Sequence, residues 1–276
     1  MNNQKIVLIT GATSGIGKET ALALAKQGYN INFTSRDKTK GEQTVKEIIA
    51  STENSNVKYF DCDLSSFESI KKFSDEFKKQ YNVIDILINN AGVWENQRRL
   101  TKDGIEMTFG VNHLAPFLLT KLLLDLVKNS TNGKIINLSS ALHGGSINFD
   151  DIEGKKTWNQ LSSYRQSKLC NILFTKKLAR ILTDTKITVN AVHPGVIKTG
   201  LTRGAPSLVK FILGFFLSTP EQGAKTTLHV ANLPDSDKTT GEYFAGSKIA
   251  NSGSYSRDES VADKLWDLSE EYIENI

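Results

Sequence analysis

The chain of 276 residues is poor in cysteine, methionine and proline, with two, two and five of each. Cys62 and Cys170 lie far apart in the sequence, so we expect neither a disulfide framework nor a cysteine metal site. The four histidines are scattered without the spacing of metal ligands, and we expect no metal centre. So few cysteines are typical of a reducing compartment, and we predict a cytoplasmic protein.

The chain also lacks a strong charge excess and a long apolar run. Lys and Arg total 34 against 30 Asp and Glu, a formal net charge of +4 without a long basic run, which argues against a nucleic-acid partner. The apolar run within residues 1–10 is too short for a signal peptide, and Lys121 and Lys210 interrupt the most apolar later segments. We therefore expect no membrane span.

What the chain does contain is an alternation of short apolar runs with longer amphipathic stretches. Strands are expected at 5–10, 30–35, 57–60, 84–89, 134–139, 187–192 and 241–245. Helices are expected between the first two strands and at 39–51, 66–80, 104–128 and 163–182. Nearly continuous apolar strands that alternate with helices predict an α/β fold. We expect one doubly wound Rossmann-type domain over residues 1–276, with a mostly parallel seven-stranded sheet flanked by helices.

A glycine-rich turn, TGATSGIG at residues 10–17, joins the first strand to the first helix. Glycines let the backbone approach a ligand closely, and a helix N-terminus offers free N–H groups to a pyrophosphate. This turn is a variant of the dinucleotide-binding fingerprint, although a tight turn without a ligand is the plainer alternative. The candidate phosphate-binding residues are Gly11, Thr13, Ser14, Gly15, Ile16 and Gly17.

The end of the second predicted strand bears on the choice of cofactor. An acidic residue there would bind a ribose 2′-hydroxyl, whereas an arginine would bind a 2′-phosphate. Here Ser35 occupies the expected acidic position and Arg36 follows it. Because arginine contacts phosphate in a bidentate manner, the sequence favours NADP(H) over NAD(H). The alternative is a solvated Arg36, with Asp37 binding the ribose.

A tyrosine and a lysine lie four residues apart in the predicted helix at 163–182, so Tyr164 and Lys168 share one helix face. A nearby ammonium group favours the phenolate and lowers the phenol pKa, which suits a general acid or base. Taken alone, such a pair is more often a surface feature. Polar residues that end the fourth, fifth and sixth predicted strands, however, all meet at the carboxyl edge of the sheet, where ligands bind in such folds.

Several motifs now occur in one order along nearly the whole chain: TGATSGIG at 10–17, NNAG at 89–92, Asn112 within a helix, Ser140, the Tyr164–Lys168 pair and Pro194-Gly195. Together they resemble the short-chain dehydrogenase/reductase superfamily. The segments VNHLAPFLLT and YRQSKLCNILF look most like its retinol-dehydrogenase-like branch. That branch often uses lipophilic aldehydes, ketones or alcohols and generally prefers NADP(H).

The resemblance implies roles for four catalytic residues. Tyr164 would exchange a proton with the substrate oxygen, and Lys168 would bind the nicotinamide ribose and lower the phenol pKa. Ser140 would orient the substrate oxygen, with Ser139 as the alternative. Asn112 would hold a water in a proton relay to Lys168; without the other motifs it reads as a packing or surface residue.

The resemblance also implies further cofactor contacts. Asp63 and Leu64 would meet the adenine, Asn90 and Gly92 the adenosine ribose, and Pro194, Ile197 and Thr199 the nicotinamide end. For Asp63 the alternative is an N-cap of the helix that follows it. A lid is expected at about 199–219, where the segment APSLVKFILGFFL would place an apolar face over the substrate. The alternatives for this segment are a helix packed on the core, or contact with a partner or a membrane surface.

We therefore expect an NADP(H)-dependent oxidoreductase that transfers a hydride between nicotinamide and a small carbonyl or alcohol, which we expect to be lipophilic: retinal-like, or another aldehyde or ketone. A catalytically silent NADP(H)-sensing module is the alternative from another class, and the complete set of catalytic residues argues against it. An epimerase or dehydratase would need a further substrate domain. The helices at 104–128 and 163–182 match the family's dimer surfaces, which makes a homodimer or homotetramer an expectation.

Overall fold

The computed structural model describes residues 4–195 and 219–274. In this part of the chain the strands are β1 (Ile6–Thr10), β2 (Asn30–Ser35), β3 (Val57–Asp61), β4 (Ile86–Asn89), β5 (Lys134–Leu138), β6 (Thr188–His193), β7 (Tyr243–Ala245) and β8 (Lys248–Ile249). They form a sheet in the order β3-β2-β1-β4-β5-β6-β7-β8, parallel except for the last pair. The chain places β2 and β3 on one side of β1 and β4 to β8 on the other, so the strand order reverses between β1 and β4. Open α/β sheets bind ligands at such a point.

The predicted α/β fold is confirmed, but the predicted number of seven strands is wrong for the described residues. The eighth strand is the two-residue β8, which pairs antiparallel with β7. Gly246 and Ser247 join these strands with positive φ angles of 58° and 60°, as a two-residue type I′ hairpin requires. Such a short, exposed edge strand has no apolar run or alternation to reveal it in the sequence.

Helices cover both faces of this sheet. They are α1 (Gly15–Lys26), α2 (Lys38–Thr52), α3 (Phe67–Gln80), α4 (Met107–Lys128), α5 (Gln160–Ile181), α6 (Pro220–Ala231) and α7 (Glu259–Glu274). Helices α1, α2 and α6 pack on one face through residues such as Leu24, Ile48 and Val230. On the other face, α3, α4, α5 and α7 enclose a second apolar core. The prediction of one domain stays untested, although both cores are built on the same sheet.

Helix α4 is the most apolar element of the described chain. By length and composition it is the one described helix that could cross a membrane, yet 78% of its apolar window is buried inside the protein. It lies against the sheet and its neighbours, as the core helix of a folded domain does. A π turn at Gly110–Leu114 interrupts its regular α-helical hydrogen bonding, whereas the sequence predicts a regular helix there.

Helix α7 closes the outer side of the second core and was not among the predicted elements. Trp266 places its ring centroid 4.9 Å from that of Phe117 in α4, and Ser269 hydrogen-bonds the His113 ring at 2.9 Å. Arg180 of α5 pairs with Asp263. Helix α7 therefore packs on the two helices that the resemblance assigned to a dimer surface, and the expected homodimer or homotetramer stays a prediction.

Candidate active site

The glycine-rich turn brings three stretches of backbone unusually close together. Gly11 has a φ of +70°, and a Cβ there would lie 3.0 Å from the Cα of Ala91. A Cβ at Gly17 would lie 2.4 Å from Nδ2 of Asn90 and 2.5 Å from the carbonyl oxygen of Gly11. Only glycine fits at these two positions without displacing the neighbouring backbone.

The N-terminus of α1 lies at the end of this turn. Ser14 is its N-cap and, within the described chain, makes no side-chain capping hydrogen bond. The first N–H groups of α1 therefore remain available, and the helix dipole adds positive potential. This is the chemistry that binds the pyrophosphate of a dinucleotide, and the residues fit such a cofactor.

Asn90 holds the turn against the end of β4. Its Nδ2 donates to the carbonyl oxygens of Thr10 at 2.8 Å and Gly11 at 3.1 Å. In return, the Thr10 hydroxyl accepts from the backbone N–H groups of Asn90 and Ala91, both at 3.0 Å. The structure thus gives Asn90 a role in fixing the turn, and its contact with the adenosine ribose stays a prediction.

A cleft of about 930 Å³ runs from this turn to the ends of β4, β5 and β6. Most of the predicted cofactor residues line it: Gly11, Thr13, Ser14, Gly15, Ile16, Gly17, Arg36, Asp63, Leu64, Asn90, Gly92, Tyr164, Lys168 and Pro194. Ile197, Thr199 and all of the predicted lid except its last residue lie outside the described residues. In the described ranges no cluster of three or more His, Cys, Asp or Glu is arranged to hold a metal ion.

The two serines after β5 have different surroundings. The Ser139 hydroxyl is buried and donates to the backbone carbonyl of Lys168 at 2.7 Å. Ser140 is half-buried, and its hydroxyl hydrogen-bonds that of Tyr164. The engagement of the Ser139 hydroxyl favours Ser140 as the serine that meets a substrate oxygen, although of the two it is Ser139 that lines the cleft.

Tyr164 and Lys168 lie in the first half of α5, both almost fully buried. Lys168 Nζ lies 5.7 Å from the centroid of the phenol ring and donates to the carbonyl oxygen of Leu138 at 3.2 Å. Burial lowers the pKa of Lys168 to about 8, because it disfavours the charged form. A Cβ at Gly92 would lie 3.3 Å from this ammonium group, so the backbone after β4 passes directly over it.

The expected lowering of the phenol pKa is not present in the protein on its own. Burial raises the pKa of Tyr164 to about 12, and the hydrogen bond with Ser140 opposes this only in part. The physical reason is that Lys168 points its ammonium group toward the ring and the Leu138 carbonyl, while the phenol oxygen has lost most of its water. Tyr164 thus keeps its proton at neutral pH.

Asn112 lies in the π turn of α4 and is completely buried. Its Oδ1 accepts from the Val93 N–H at 2.7 Å, while Nδ2 donates to the Val93 carbonyl at 2.9 Å and to the Ser167 hydroxyl at 3.0 Å. Such π turns are frequent at functional sites. The side chain ties α4, α5 and the chain after β4 together, and a bound water in a proton relay stays a prediction.

The loop that carries Ser140 is held by His193, His143 and Tyr243. The Ala141 N–H donates to Nδ1 of His193 at 3.1 Å, and the Tyr243 hydroxyl donates to the Ser140 carbonyl at 3.2 Å. The His143 ring hydrogen-bonds the same carbonyl at 2.6 Å. Burial lowers the pKa of His193 to about 4, so the ring stays neutral and can accept.

Arg36 lies at the end of the cleft where the adenosine is expected. Among the described residues no carboxylate forms an ion pair with it. Arg36 is exposed at the cleft wall, and Lys40 lines the same cleft, where its ammonium group pairs with Asp37 at 3.5 Å. The Asp37 carboxylate caps α2 by accepting from the Lys40 N–H at 3.1 Å. The alternative in which Asp37 binds the ribose is therefore less favoured, because its carboxylate is already engaged. Lys40 was missed in the sequence, since a cation in the first turn of a helix has no distinctive spacing.

Asp63 is also engaged by its neighbours. Its carboxylate accepts from the Ser65 N–H at 3.0 Å and the Ser65 hydroxyl at 2.7 Å, and it pairs with Lys102 at 3.0 Å. The N-cap of α3 is Ser66, so the capping alternative for Asp63 is wrong. Its contact with an adenine stays a prediction.

Comparison with known proteins adds to this geometry. The family model for short chain dehydrogenases matches residues 5–207. This chain belongs to the short-chain dehydrogenase family. It is 43% identical to retinol dehydrogenase 12 of Mus musculus over 98% of this chain and 86% of the relative. It is 42% identical to human (Homo sapiens) retinol dehydrogenase 11 over 96% of this chain and 84% of the relative.

A solved structure agrees with the fold. The crystal structure of an uncharacterized protein from Mycobacterium paratuberculosis is 31% identical, covers 98% of this chain and 94% of its own, and has a TM-score of 0.79. The predicted family and its retinol-dehydrogenase-like branch are confirmed. The protein is therefore an oxidoreductase that uses a nicotinamide cofactor and transfers a hydride between it and a small molecule with an alcohol or carbonyl group.

Proposed function

We propose that this protein is an NADP(H)-dependent reductase or dehydrogenase of lipophilic aldehydes, ketones or alcohols. The observation that carries the proposal is that Tyr164 and Lys168 line the cleft that begins at the glycine-rich turn, with the Ser140 hydroxyl against the Tyr164 phenol. Retinol dehydrogenases 11 and 12 are similar over nearly the whole chain, and their names indicate an apolar alcohol as a substrate.

The chain's own residues account for the proton and for orientation. When bound, the nicotinamide supplies or accepts the hydride. In reduction the Tyr164 hydroxyl donates its proton to the substrate oxygen and becomes the phenolate, and in oxidation the phenolate accepts the proton of the alcohol, while the Ser140 hydroxyl orients that oxygen. The buried Lys168 ammonium would hold the nicotinamide ribose, and its positive charge favours the phenolate once it forms.

The wall of the cleft near Tyr164 favours an apolar substrate. Val93, Trp94, Met107 and Val111 line the cleft together with Tyr164, Trp94 stacks on the phenol, and Trp94 and Val111 are almost fully buried. Apolar side chains stabilise an apolar ligand by removing its surface from water, at about 25 cal/mol per Å². Glu95, Asn96 and Arg99 also line the cleft, so its surface is apolar only in part.

NADP(H) is supported by Arg36 and Lys40 at the other end of the cleft, where the 2′-phosphate of the adenosine would lie. The Asp37 carboxylate, which would repel this phosphate, is bound to the start of α2. Two cations near one phosphate form charge-assisted hydrogen bonds that NAD(H) cannot form.

The proposal is tested by measuring cofactor consumption with a panel of aldehydes and ketones of graded chain length. We expect faster turnover with NADPH than with NADH, and a kcat/KM that rises with chain length, by roughly tenfold for each two methylenes buried. Equal rates with small polar and long apolar carbonyls would contradict the lipophilic substrate. Tight NADPH binding without turnover across the panel would support the silent sensor instead.

A further inference from the structure

One aromatic residue in the cleft has no role in the chemistry described so far. Trp94 follows β4, and its ring lies parallel to that of Tyr164, with centroids 4.2 Å apart and an angle of 6° between the planes. Its side chain is 7% exposed. Aromatic rings that stack in this manner have a large shared area, so the indole covers one whole face of the phenol.

The position of Trp94 is fixed by the helix opposite. Asn112 in the π turn of α4 hydrogen-bonds both the N–H and the carbonyl of Val93, the residue directly before Trp94. A backbone held on both sides leaves the following side chain little freedom. The indole is thus held against the phenol by the same residue that connects α4 to α5 through Ser167.

The Tyr164 phenol has an aromatic ring on one face, a hydroxyl at its oxygen and an ammonium group nearby. Among the described residues Trp94 covers one face, the Ser140 hydroxyl meets the phenol oxygen, and Lys168 Nζ lies 5.7 Å from the ring centroid. Lys168 is the charged residue next to this ring. Because Lys168 and Tyr164 lie on the same helix, a change at residue 94 is expected to leave their relative position unchanged. Removal of the indole would therefore change the water around the phenol while its charged neighbour stays.

We infer that Trp94 is a positioning residue for Tyr164: its indole fixes the plane of the phenol ring and excludes water from one face of it. This inference rests on the proposed role of Tyr164 as the proton donor. A reacting oxygen must meet the phenol proton within a narrow range of distance and direction, so a freely rotating ring would slow turnover. Exclusion of water also keeps the phenol protonated in the free protein.

The indole nitrogen offers a way to separate the ring from its polar group. Nε1 of Trp94 is buried and has no hydrogen-bond partner within the described residues. Trp94→Phe therefore removes the N–H and keeps a flat ring over the phenol, whereas Trp94→Ala removes the stack altogether. Trp266→Phe is the matched control, because that indole packs on Phe117 in the core and not on the phenol.

The direct test is an NMR titration of the free protein with tyrosines labelled at Cζ, in which Tyr164→Phe identifies the Tyr164 signal. In the wild type, in Trp94→Phe and in Trp266→Phe, we expect this signal to stay unionised to about pH 11. In Trp94→Ala we expect its midpoint to fall by about one pH unit or more, because water reaches the phenol. A midpoint in Trp94→Ala equal to that of the wild type would overturn the inference, as would an equal fall in Trp94→Phe.

Turnover gives the second measurement. With NADPH and an aldehyde that the wild type reduces, we expect Trp94→Ala to lower kcat about tenfold, and Trp94→Phe to recover most of it. If Trp94→Ala does not fold, Trp94→Val opens the same face and takes its place in both measurements. If the wild type shows no turnover, the proposed function fails, and the titration still decides whether Trp94 shields the phenol.

Discussion

Burial has opposite effects on the two ionisable residues at the inner end of the cleft. It raises the pKa of Tyr164 to about 12 and lowers that of Lys168 to about 8. Both shifts favour the neutral form, since each group has lost water that would stabilise its charge. At neutral pH the phenol keeps its proton and the amine still carries most of its charge. The free protein therefore presents an acid to a carbonyl oxygen.

Arg36 is the residue on which the choice between the two cofactors depends. We predict that Arg36→Ala weakens NADPH binding about ten- to a hundredfold and changes NADH binding little, because only NADPH carries the 2′-phosphate. Lys38→Ala is the control, since Lys38 is exposed and pairs with Glu42 along α2 at 3.9 Å. Equilibrium binding of each cofactor to each variant checks this. Equal weakening of both cofactors in Arg36→Ala would mean that Arg36 does not contact the 2′-phosphate.

The sequence was most informative for single residues that form motifs. The turn at 10–17, Tyr164 and Lys168 come to one cleft as their order in the family suggested, and Ser140 lies against the Tyr164 phenol. The Trp94 stack could not be predicted, because an aromatic residue after NNAG is compatible with many positions until the fold places it. The same holds for the pKa of Tyr164, which depends on burial and not on the spacing to Lys168.

Among the elements missed in the sequence, β8 is too short to show a pattern and α6 lacks a clear apolar period, whereas α7 has both the length and the helical spacing and could have been predicted. Helix α6 had a readable start, because Thr219 and Gln222 form a capping box and Pro220 is the first helical residue. Its buried residues are mostly small or polar, such as Gly223, Ala224 and Thr227, so no apolar stripe marks the helix. The π turn in α4 is set by tertiary hydrogen bonds of Asn112, which no local pattern reports.

A buried carboxylate holds the starts of the two helices that carry Asn112 and Tyr164. The Glu106 side chain is fully buried and accepts from the Phe109 N–H at 2.8 Å, the Ser163 hydroxyl at 3.1 Å and the Trp158 Nε1 at 3.2 Å. It thereby caps α4 and ties it to the first turn of α5. The backbone N–H of Glu106 donates to Glu153 at 3.0 Å, so a second carboxylate supports the first.

We predict that Glu106→Ala lowers the free energy of unfolding by about 2–4 kcal/mol, because it removes a helix cap and leaves buried donors unpaired. Urea denaturation followed by circular dichroism measures this. As a control, Glu42→Ala on the exposed face of α2 is expected to change it by less than about 0.5 kcal/mol. A loss below about 1 kcal/mol in Glu106→Ala would show that this carboxylate is not needed to join the two helices.

At the scale of the whole molecule, the buried His113 and the half-buried His193 make the fold sensitive to acid. Burial lowers the pKa of His113 to about 3 and that of His193 to about 4, against an ordinary value near 6.5. Between these values the unfolded chain binds protons that the folded chain does not. The stabilisation is therefore complete above about pH 6.5 and is lost as the pH falls toward the folded-state values.

We predict that the free energy of unfolding falls by about 1.4 kcal/mol per pH unit for each histidine between about pH 6.5 and 5. Urea denaturation at several pH values gives this slope. His113→Asn is expected to halve it, whatever its effect on stability at neutral pH, since one titrating group is gone. An unchanged slope in this variant would mean that His113 takes up its proton without unfolding.

The central claim is that a buried phenol at the end of a dinucleotide cleft supplies the proton. Tyr164→Phe tests it most directly, because phenylalanine keeps the ring and its stack on Trp94 and removes only the hydroxyl. NADPH binding and single-turnover aldehyde reduction are measured on the same preparation. The account predicts NADPH binding within about twofold of the wild type and a rate of reduction lower by about a hundredfold or more. Reduction at the wild-type rate would contradict it.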